Sequence, residues 1–358
     1  MAEARIRKFT KHIADLGIDA SLITSRVNVT YLTGLLIETY ERFSGVVVCS
    51  SGEYALIVPK LDEERVRGFR AFTYSDDEGP AKALRNALGT CGNVKVLGIE
   101  GSMPIRHLWL IEKILGRTEY KPIDDVLSSL RSVKDDDEVA KIKVAVKAIE
   151  DAIIDTIENF LKPNVTEAEV SSHIVSILMS EGLEPGDVLV QSGPNTAIPH
   201  AKPSRRRISK GDVVVIDVSA RYEGYFGDLT RTVALGEPPR EYLKIYSIVK
   251  EAHDEAIRRV REGASAGEVD EAARSVITRE GYGSYFIHRT GHGLGLEVHE
   301  EPYIVSGSNY RLVKGNVFTV EPGIYLPGLF GVRIESDVAV GQDPIILDKY
   351  FPDPVKHL

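Results

Sequence analysis

The run from His288 to Glu300, HRTGHGLGLEVHE, packs three histidines and three glycines among polar residues. Histidine ligates metals and carries protons near neutral pH, while glycine lets a backbone approach an ion or substrate closely. Such a run reads as a site, although a glycine-rich turn with surface or core histidines would share its letters. Carboxylates elsewhere shift the balance. Asp217 and Asp228 flank the hairpin-like IDVSARYEGYFGDLTRT, and Glu321 and Glu335 interrupt the apolar FTVEPGIY and GVRIESD. A buried, unpaired carboxylate is costly, so acids in strand-like surroundings call for partners. His292 with these four carboxylates makes a metal cluster. Their combined charge of about −4 is cancelled by two divalent cations, whereas two bare carboxylates ~4 Å apart repel by roughly 4 kcal/mol at intermediate dielectric. Two ions sharing bridging carboxylates is the arrangement this arithmetic favours.

The scaffold must be large enough to bring these residues together. The chain has 358 residues, 43% of them hydrophobic, enough for a sizeable core and two domains. Its net charge of −9 argues against a nucleic-acid partner, and the one basic triplet, Arg205 to Arg207, reads as a solvated loop. The stretch MAEARIRKFTKH has no apolar signal core, and no run approaches the ~20 apolar residues of a membrane span. A cytoplasmic protein with no membrane association is expected. Cys49 and Cys91, the two cysteines, are too few for a disulfide framework or thiolate site and read as small buried apolar residues. Oxygen and imidazole are left to hold any metal.

Periodicity divides the chain near residue 125. Residues 1–125 alternate helical and strand patterns: a helix near Ala4 to Leu16, strands at Ala20 to Thr24, Val46 to Cys49, Tyr54 to Val58 and Val94 to Ile99, and helices at Pro80 to Leu88 and Pro104 to Leu115. This is an α/β domain, with Trp109 in its core. In residues 126–358, Val139, Ile142, Val146, Ile149, Ile153, Ile157 and Phe160 recur at helical spacing, and Pro163 ends the helix. Thr166 and Glu169 form a capping box for the next helix, which Gly182 stops. Strands follow at Asp187 to Gln191, Val213 to Ala220 and Phe226 to Ala234, then helices at Arg240 to Glu262 and Ala266 to Glu280. Strands at Val317 to Tyr325 and Val332 to Val340 close the chain. Helix pairs separated by strands point to two similar α/β halves, although no repeat in the letters is strong enough to establish them. His12 and His253 fall on polar helix faces and are expected in solvent.

In these motifs, and in SRVNVTYLTG from Ser25 to Gly34, the whole chain resembles the proline-specific branch of the pita-bread metallopeptidases, which includes Xaa-Pro dipeptidase (prolidase) and Xaa-Pro aminopeptidase. The resemblance implies an α+β protein: a creatinase-like N-terminal α/β domain followed by a pita-bread catalytic domain, a duplicated αβ unit. It implies two divalent ions (Mn²⁺, Co²⁺ or Zn²⁺), with Asp217 on one, Asp228 and Glu335 bridging both, and His292 and Glu321 completing the second. Glu321 would also act as general base. His200, in NTAIPHAKP, and His299, in LEVHE, resemble the substrate-binding histidines, and Arg333 the arginine that orients the ligands. His288 would support the ligands from outside. The implied reaction is hydrolysis of the Xaa-Pro bond at a peptide N-terminus by metal-activated water, in a homodimer.

Two other functions share the fold. A creatinase-like amidinohydrolase normally loses the metal ligands, and a non-catalytic peptide- or protein-binding module would leave them unconstrained. The five intact positions oppose both. The chain departs from the family pattern in Ser219 and Gly227 beside the aspartates. Beyond His299, some proline dipeptidases carry an arginine for the substrate's terminal carboxylate, whereas this chain continues Glu300, Glu301, Pro302, Tyr303. Longer peptides with proline in second place are therefore admitted alongside dipeptides.

Overall fold

The structure is a computed structural model and describes residues 2–358. The chain divides into two compact units between Arg131 and Ser132. No described helix is long and apolar enough to cross a membrane.

The first unit is an α/β layer. Helix α1 (Ala2–Asp15) spaces Ile6, Phe9 and Ile13 three or four apart, so that all three fall on one buried stripe. There follow β1 (Ala20–Ile23), α2 (Arg26–Thr33), β2 (Gly45–Cys49), β3 (Tyr54–Pro59), β4 (Ala71–Tyr74), α3 (Ala81–Gly89), β5 (Val96–Ile99), α4 (Ile105–Leu115), β6 (Glu119–Pro122) and α5 (Asp124–Ser132). The strands form one sheet in the order β4-β3-β2-β1-β5-β6, with β1 antiparallel to β2 and parallel to β5. Trp109 is 56% exposed, contrary to its expected place in the core. On α4 the buried residue is Ile111, and two positions of helix turn Trp109 about 200° away from it.

Cys49 and Cys91 form a disulfide with Cα atoms 5.1 Å apart, which corrects the expectation of two separate thiols. The end of β2 and the turn after α3 meet only when the helix packs on the sheet. A count of cysteines carries no trace of that contact.

The second unit opens with α6 (Asp136–Asp155) and α7 (Glu167–Ser180), then β7 (Glu184–Ser192), β8 (Val213–Tyr222) and β9 (Tyr225–Leu235). A second series follows: α8 (Tyr242–Arg259), α9 (Ala266–Arg279), β10 (Gly291–Gly293), β11 (Glu300–Ile304), β12 (Val317–Val320), β13 (Gly323–Leu326), β14 (Phe330–Arg333), β15 (Ser336–Ala339), β16 (Ile345–Ile346) and β17 (Val355–Lys356). Two sheets carry the halves, ordered β17-β9-β8-β7 and β11-β10-β12-β15-β16. In each, an antiparallel triplet follows a helix pair. Both α7 and α9 begin with a capping box, Thr166 with Glu169 and Ser265 with Glu268. Each cap residue forms an isolated bridge to an arginine, Thr166 to Arg207 and Ser265 to Arg311. Those arginines open matching segments, RISKGDVVVID and RLVKGNVFTVE, which end at Asp217 and Glu321. In both, a left-handed glycine (Gly211, Gly315) precedes a side chain that accepts a backbone N–H: Asp212 from Ser209 at 2.8 Å and Asn316 from Val313 at 2.9 Å. The repeat is present in the letters, spread over too few positions to stand out.

Two polar residues depart from expectation. His253 is buried, its Nε2 3.0 Å from the Ser336 hydroxyl, because β15 brings that partner to the inner face of α8. Arg206 is no solvated loop residue, since it pairs with Asp212 at 2.6 Å.

The disulfide closes a separation of 42 residues. Such a cross-link stabilises by restricting the unfolded chain, so the C49A/C91A variant should lose about 2 to 4 kcal/mol in the first unit. Denaturant unfolding followed by Trp109 fluorescence measures it, and an unchanged midpoint would show that the link contributes nothing.

Candidate metal centre

Strand register sets the spacing of the first two carboxylates. Across the β8–β9 ladder Asp217 pairs with Thr230 and Ser219 with Asp228, so these four side chains share one face. In the other half His292 lies on β10 opposite Tyr303 on β11. Glu321 and Glu335 sit where the two expected long strands break, between β12 and β13 and between β14 and β15. Their backbones are still held: Glu321 N–H donates to the Thr290 carbonyl at 2.7 Å, and Glu335 N–H to the Thr230 carbonyl at 3.2 Å. The second bond ties one sheet to the other.

Helix α9 anchors the histidine run. Buried Asp270 accepts from the Thr290 N–H (3.1 Å) and hydroxyl (2.8 Å), and Arg274, paired with Asp270, donates to the His288 carbonyl at 2.9 Å. The glycines here have a different purpose from the expected one. A Cβ on Gly291 would overlap the Thr319 carbonyl and one on Gly293 the Glu301 carbonyl, so both allow close strand contact rather than approach to an ion.

One cavity of about 720 Å³ is lined by every residue singled out as catalytic or ligating: His200, Asp217, Asp228, His292, His299, Glu321, Arg333 and Glu335. Three of these converge tightly. Asp228, His292 and Glu335, all buried, each offer a ligand atom within 4.8 Å of the others. The other two expected ligands are engaged with neighbours. Asp217 Oδ2 pairs with Arg333 Nη2 at 2.5 Å, and Glu321 Oε1 lies 3.3 Å from His292 Nε2. His200 and His299 stand exposed on the wall, the His299 ring edge-on to His292 with centroids 4.0 Å apart.

The electrostatics fit a divalent cation. Burial, then the charge of Glu335, holds Asp228 well above the usual carboxylate range; Glu321 is raised in the same way. Glu335 is pushed up to about 8 by burial and by Asp217. Burial, then His299, lowers His292 to about 3, leaving a neutral imidazole with a lone pair to give. Asp228 Oδ1 is buried with no protein hydrogen-bond partner. Protein groups therefore do not satisfy this cluster, and an oxygen-and-imidazole donor set suits divalent transition metals.

Around it lies a hydrogen-bonded layer that sequence reasoning covered only in part. Arg333 donates to the Tyr325 hydroxyl (2.9 Å) and the Thr230 hydroxyl (3.2 Å), and Thr230 donates to Glu335 Oε2 at 2.6 Å. His288 Nδ1 faces the Arg289 carbonyl at 2.7 Å and its Nε2 the Tyr325 hydroxyl at 2.8 Å, so His288 supports the layer and lies outside the cluster. Asp337 accepts the Asp228 N–H at 3.0 Å. Tyr325 and Thr230 were missed because each fits its strand's apolar or β-branched pattern. Asp337 carried a signal, a second acid in IESDVAV two residues beyond Glu335.

A duplicated αβ domain that gathers carboxylates and an imidazole under one cavity defines a metallohydrolase of the pita-bread class. Comparison with known families agrees: residues 140–342 match metallopeptidase family M24 and residues 5–133 the creatinase/prolidase N-terminal domain. The chain belongs to metallopeptidase family M24 and is a metallo-exopeptidase. It is 38% identical over 341 residues to the probable dipeptidase PepE of Mycobacterium tuberculosis, covering 92% of this chain and 89% of that one. Its fold matches a dipeptidase from Pyrococcus horikoshii OT3 (TM-score 0.93, 38% identity, 98% and 99% of the two chains). A recombinant prolidase from Thermococcus sibiricus matches as well (TM-score 0.92, 39% identity, 99% of each).

The raised carboxylates give the metal-free protein a pH signature. Glu335 binds a proton more tightly folded than unfolded, so its contribution is complete below about pH 4.5 and is lost as pH rises through about 8. His292, lowered from 6.5, acts in the opposite sense, but only below pH 6.5. Between pH 6.5 and 8 His292 no longer contributes, and the loss belongs to the raised carboxylates. Chelator-treated protein should thus lose urea resistance across that window while the metal-loaded protein does not; parallel profiles would contradict repulsion among the acids.

Proposed function

We propose that this protein is a two-metal exopeptidase that cleaves the Xaa-Pro bond at the N-terminus of small peptides. The convergence of Asp228, His292 and Glu335 beneath a cavity walled by His200 and His299 carries this reading. Similarity to a prolidase and to dipeptidases supports the substrate class. Asp217 would hold one ion, Asp228 and Glu335 both, and His292 and Glu321 the second. When bound, two divalent ions supply Lewis acidity and a water acidic enough to attack an unactivated amide near neutral pH.

The chain's own groups do the rest. Glu321 takes the proton from the attacking water and delivers it to the departing proline nitrogen. His200 and His299 hydrogen-bond the scissile amide and the oxygen on which charge develops. Arg333, fixed by Tyr325 and Thr230, holds Asp217 in place. A proline nitrogen carries no N–H and its ring fixes φ, so recognition there rests on shape rather than on an amide donor.

The donor set does not choose among Mn²⁺, Co²⁺ and Zn²⁺. A cytoplasmic, homodimeric enzyme acting on peptides with proline in second place, without nucleic-acid or membrane partners, completes the proposal. Light scattering tests the assembly, and subcellular fractionation tests the compartment.

Asp228→Asn and Glu335→Gln should each reduce turnover of Ala-Pro by more than about 10³-fold together with bound metal; full activity in either would end the assignment of bridging ligands. His299→Ala should lower kcat by roughly 10²-fold with metal content near that of the wild type. Loss of metal in that variant would make His299 a ligand instead.

A further inference from the structure

The His200 ring has neither a hydrogen bond nor an ion pair among the described residues, and it is exposed on the cavity wall. Where it points therefore depends on the backbone that carries it. That backbone is gripped by Gln191 on β7, a buried residue whose Nε2 donates to the carbonyls of Pro199 at 2.9 Å and Ala201 at 3.1 Å, on either side of His200. Only an amide nitrogen can face two carbonyls, which fixes the orientation of the side chain. Its other end, Oε1, is buried without a protein partner. Alternation along β7 puts Gln191 on the face of Leu189, which lies opposite Asp217 and lines the cavity.

We propose that Gln191 is a positioning residue for the reaction: its amide aims His200 at the substrate by holding the carbonyls on both sides of it. The proposal rests on the reading of His200 given above and deepens it. The Pro199 and Ala201 carbonyls belong to the peptide units just before His200 and just after Ala201. The unit between them is held as well, since the Ala201 N–H donates to the Ile198 carbonyl at 3.0 Å. Three successive peptide planes are thus fixed, and only the side-chain torsions of His200 stay free to meet a substrate. Keeping the loop closed does not need Gln191. Buried Glu167 already accepts the N–H and hydroxyl of Ser192 (2.8 and 2.7 Å) and those of Ser204 (3.0 and 2.5 Å), tying both ends of residues 192–204 to the start of α7. A buried amide with one end unpaired costs free energy, so its two bonds at the tip of the loop call for a purpose there.

The test compares Mn²⁺-loaded wild type, Gln191→Met, Gln191→Asn, His200→Ala and the double variant Gln191→Met/His200→Ala on Ala-Pro. Gln191→Met keeps the length of the side chain and removes both donors; it should lower kcat about 10-fold, with KM within about threefold of wild type and metal content unchanged. Gln191→Asn, with the amide on a shorter stem, should lose less, and it carries the comparison if Gln191→Met fails to fold. In the His200→Ala background the further loss should be under about twofold, since a residue that acts only through His200 has nothing left to act on. Equal losses in both backgrounds, an unchanged kcat, or loss of metal in step with activity would overturn the proposal. The NMR signal of the His200 ring in metal-free protein, assigned by its absence from His200→Ala, should shift or broaden in both Gln191 variants while that of His299 stays in place. An unmoved His200 signal would overturn the proposal too. If wild type does not cleave Ala-Pro, the Xaa-Pro reading falls while the ring signal still reports on Gln191. Full activity in His200→Ala would remove that histidine from the reaction, and the role of Gln191 with it.

Discussion

Mutual repulsion among buried carboxylates is the constraint that organises the second unit. Glu335 raises the proton affinity of Asp228 and Glu321, Asp217 raises that of Glu335, and no lysine or arginine among the described residues forms an ion pair with Asp228, Glu321 or Glu335. Such a cluster survives in a folded chain only where its backbone is over-determined and a counter-charge can enter. The structure provides the first condition with Arg231, which is buried and donates to the carbonyls of Thr230 (3.0 Å) and Glu335 (2.5 Å) while pairing with buried Asp348 at 2.6 Å. A single guanidinium thus grips the strand residues beside two acids and the chain that follows β16. Divalent cations would meet the second condition, and their charge would turn a destabilising cluster into a centre able to polarise an amide carbonyl.

Duplication explains how one chain assembles such a cluster. Each half contributes a carboxylate at the end of the same R-x-x-K-G segment, Asp217 and Glu321, and a second acid farther on, Asp228 within β9 and Glu335 just before β15. The halves are not identical, and their differences are functional. In the first, β8 and β9 run unbroken, so Asp217 and Asp228 project from a regular ladder. In the second, the strands break at Glu321 and Glu335, and the histidine run occupies β10, between β11 and β12, under the hold of Asp270 and Arg274. Close packing there depends on Gly291 and Gly293, where any side chain would meet a neighbouring carbonyl. The same connection carries Arg289 to the cavity wall.

The ligand types, their order along the chain and the helices that frame them are legible in local patterns. Acids in apolar strands, a capping box at Thr166 and the periodic stripe from Val139 are signals carried by residues within a few positions of one another. The Cys49–Cys91 bond, the burial of His253, the exposure of Trp109 and the pairing of Arg206 with Asp212 depart from what those signals implied. Each turns on which surface a helix or loop presents to a partner outside the local window. The strand breaks at Glu321 and Glu335 belong to the same class, since an apolar run shows the same alternation whether or not its backbone bends at the acid.

By itself, the amino-acid order determined which carboxylates and imidazoles stand among the helix and strand patterns, because side-chain chemistry and short-range periodicity are properties of neighbouring residues. Only the tertiary structure decided that Asp228, His292 and Glu335 converge, that Arg333 takes Asp217, that Tyr325 joins Arg333 to His288, and that the Arg289 guanidinium rests on Tyr303. Those contacts depend on sheet register and helix packing. Thr230 and Glu335 meet across 105 positions of sequence, and such a separation is bridged by the sum of many weak packing interactions that no short stretch of chain encodes.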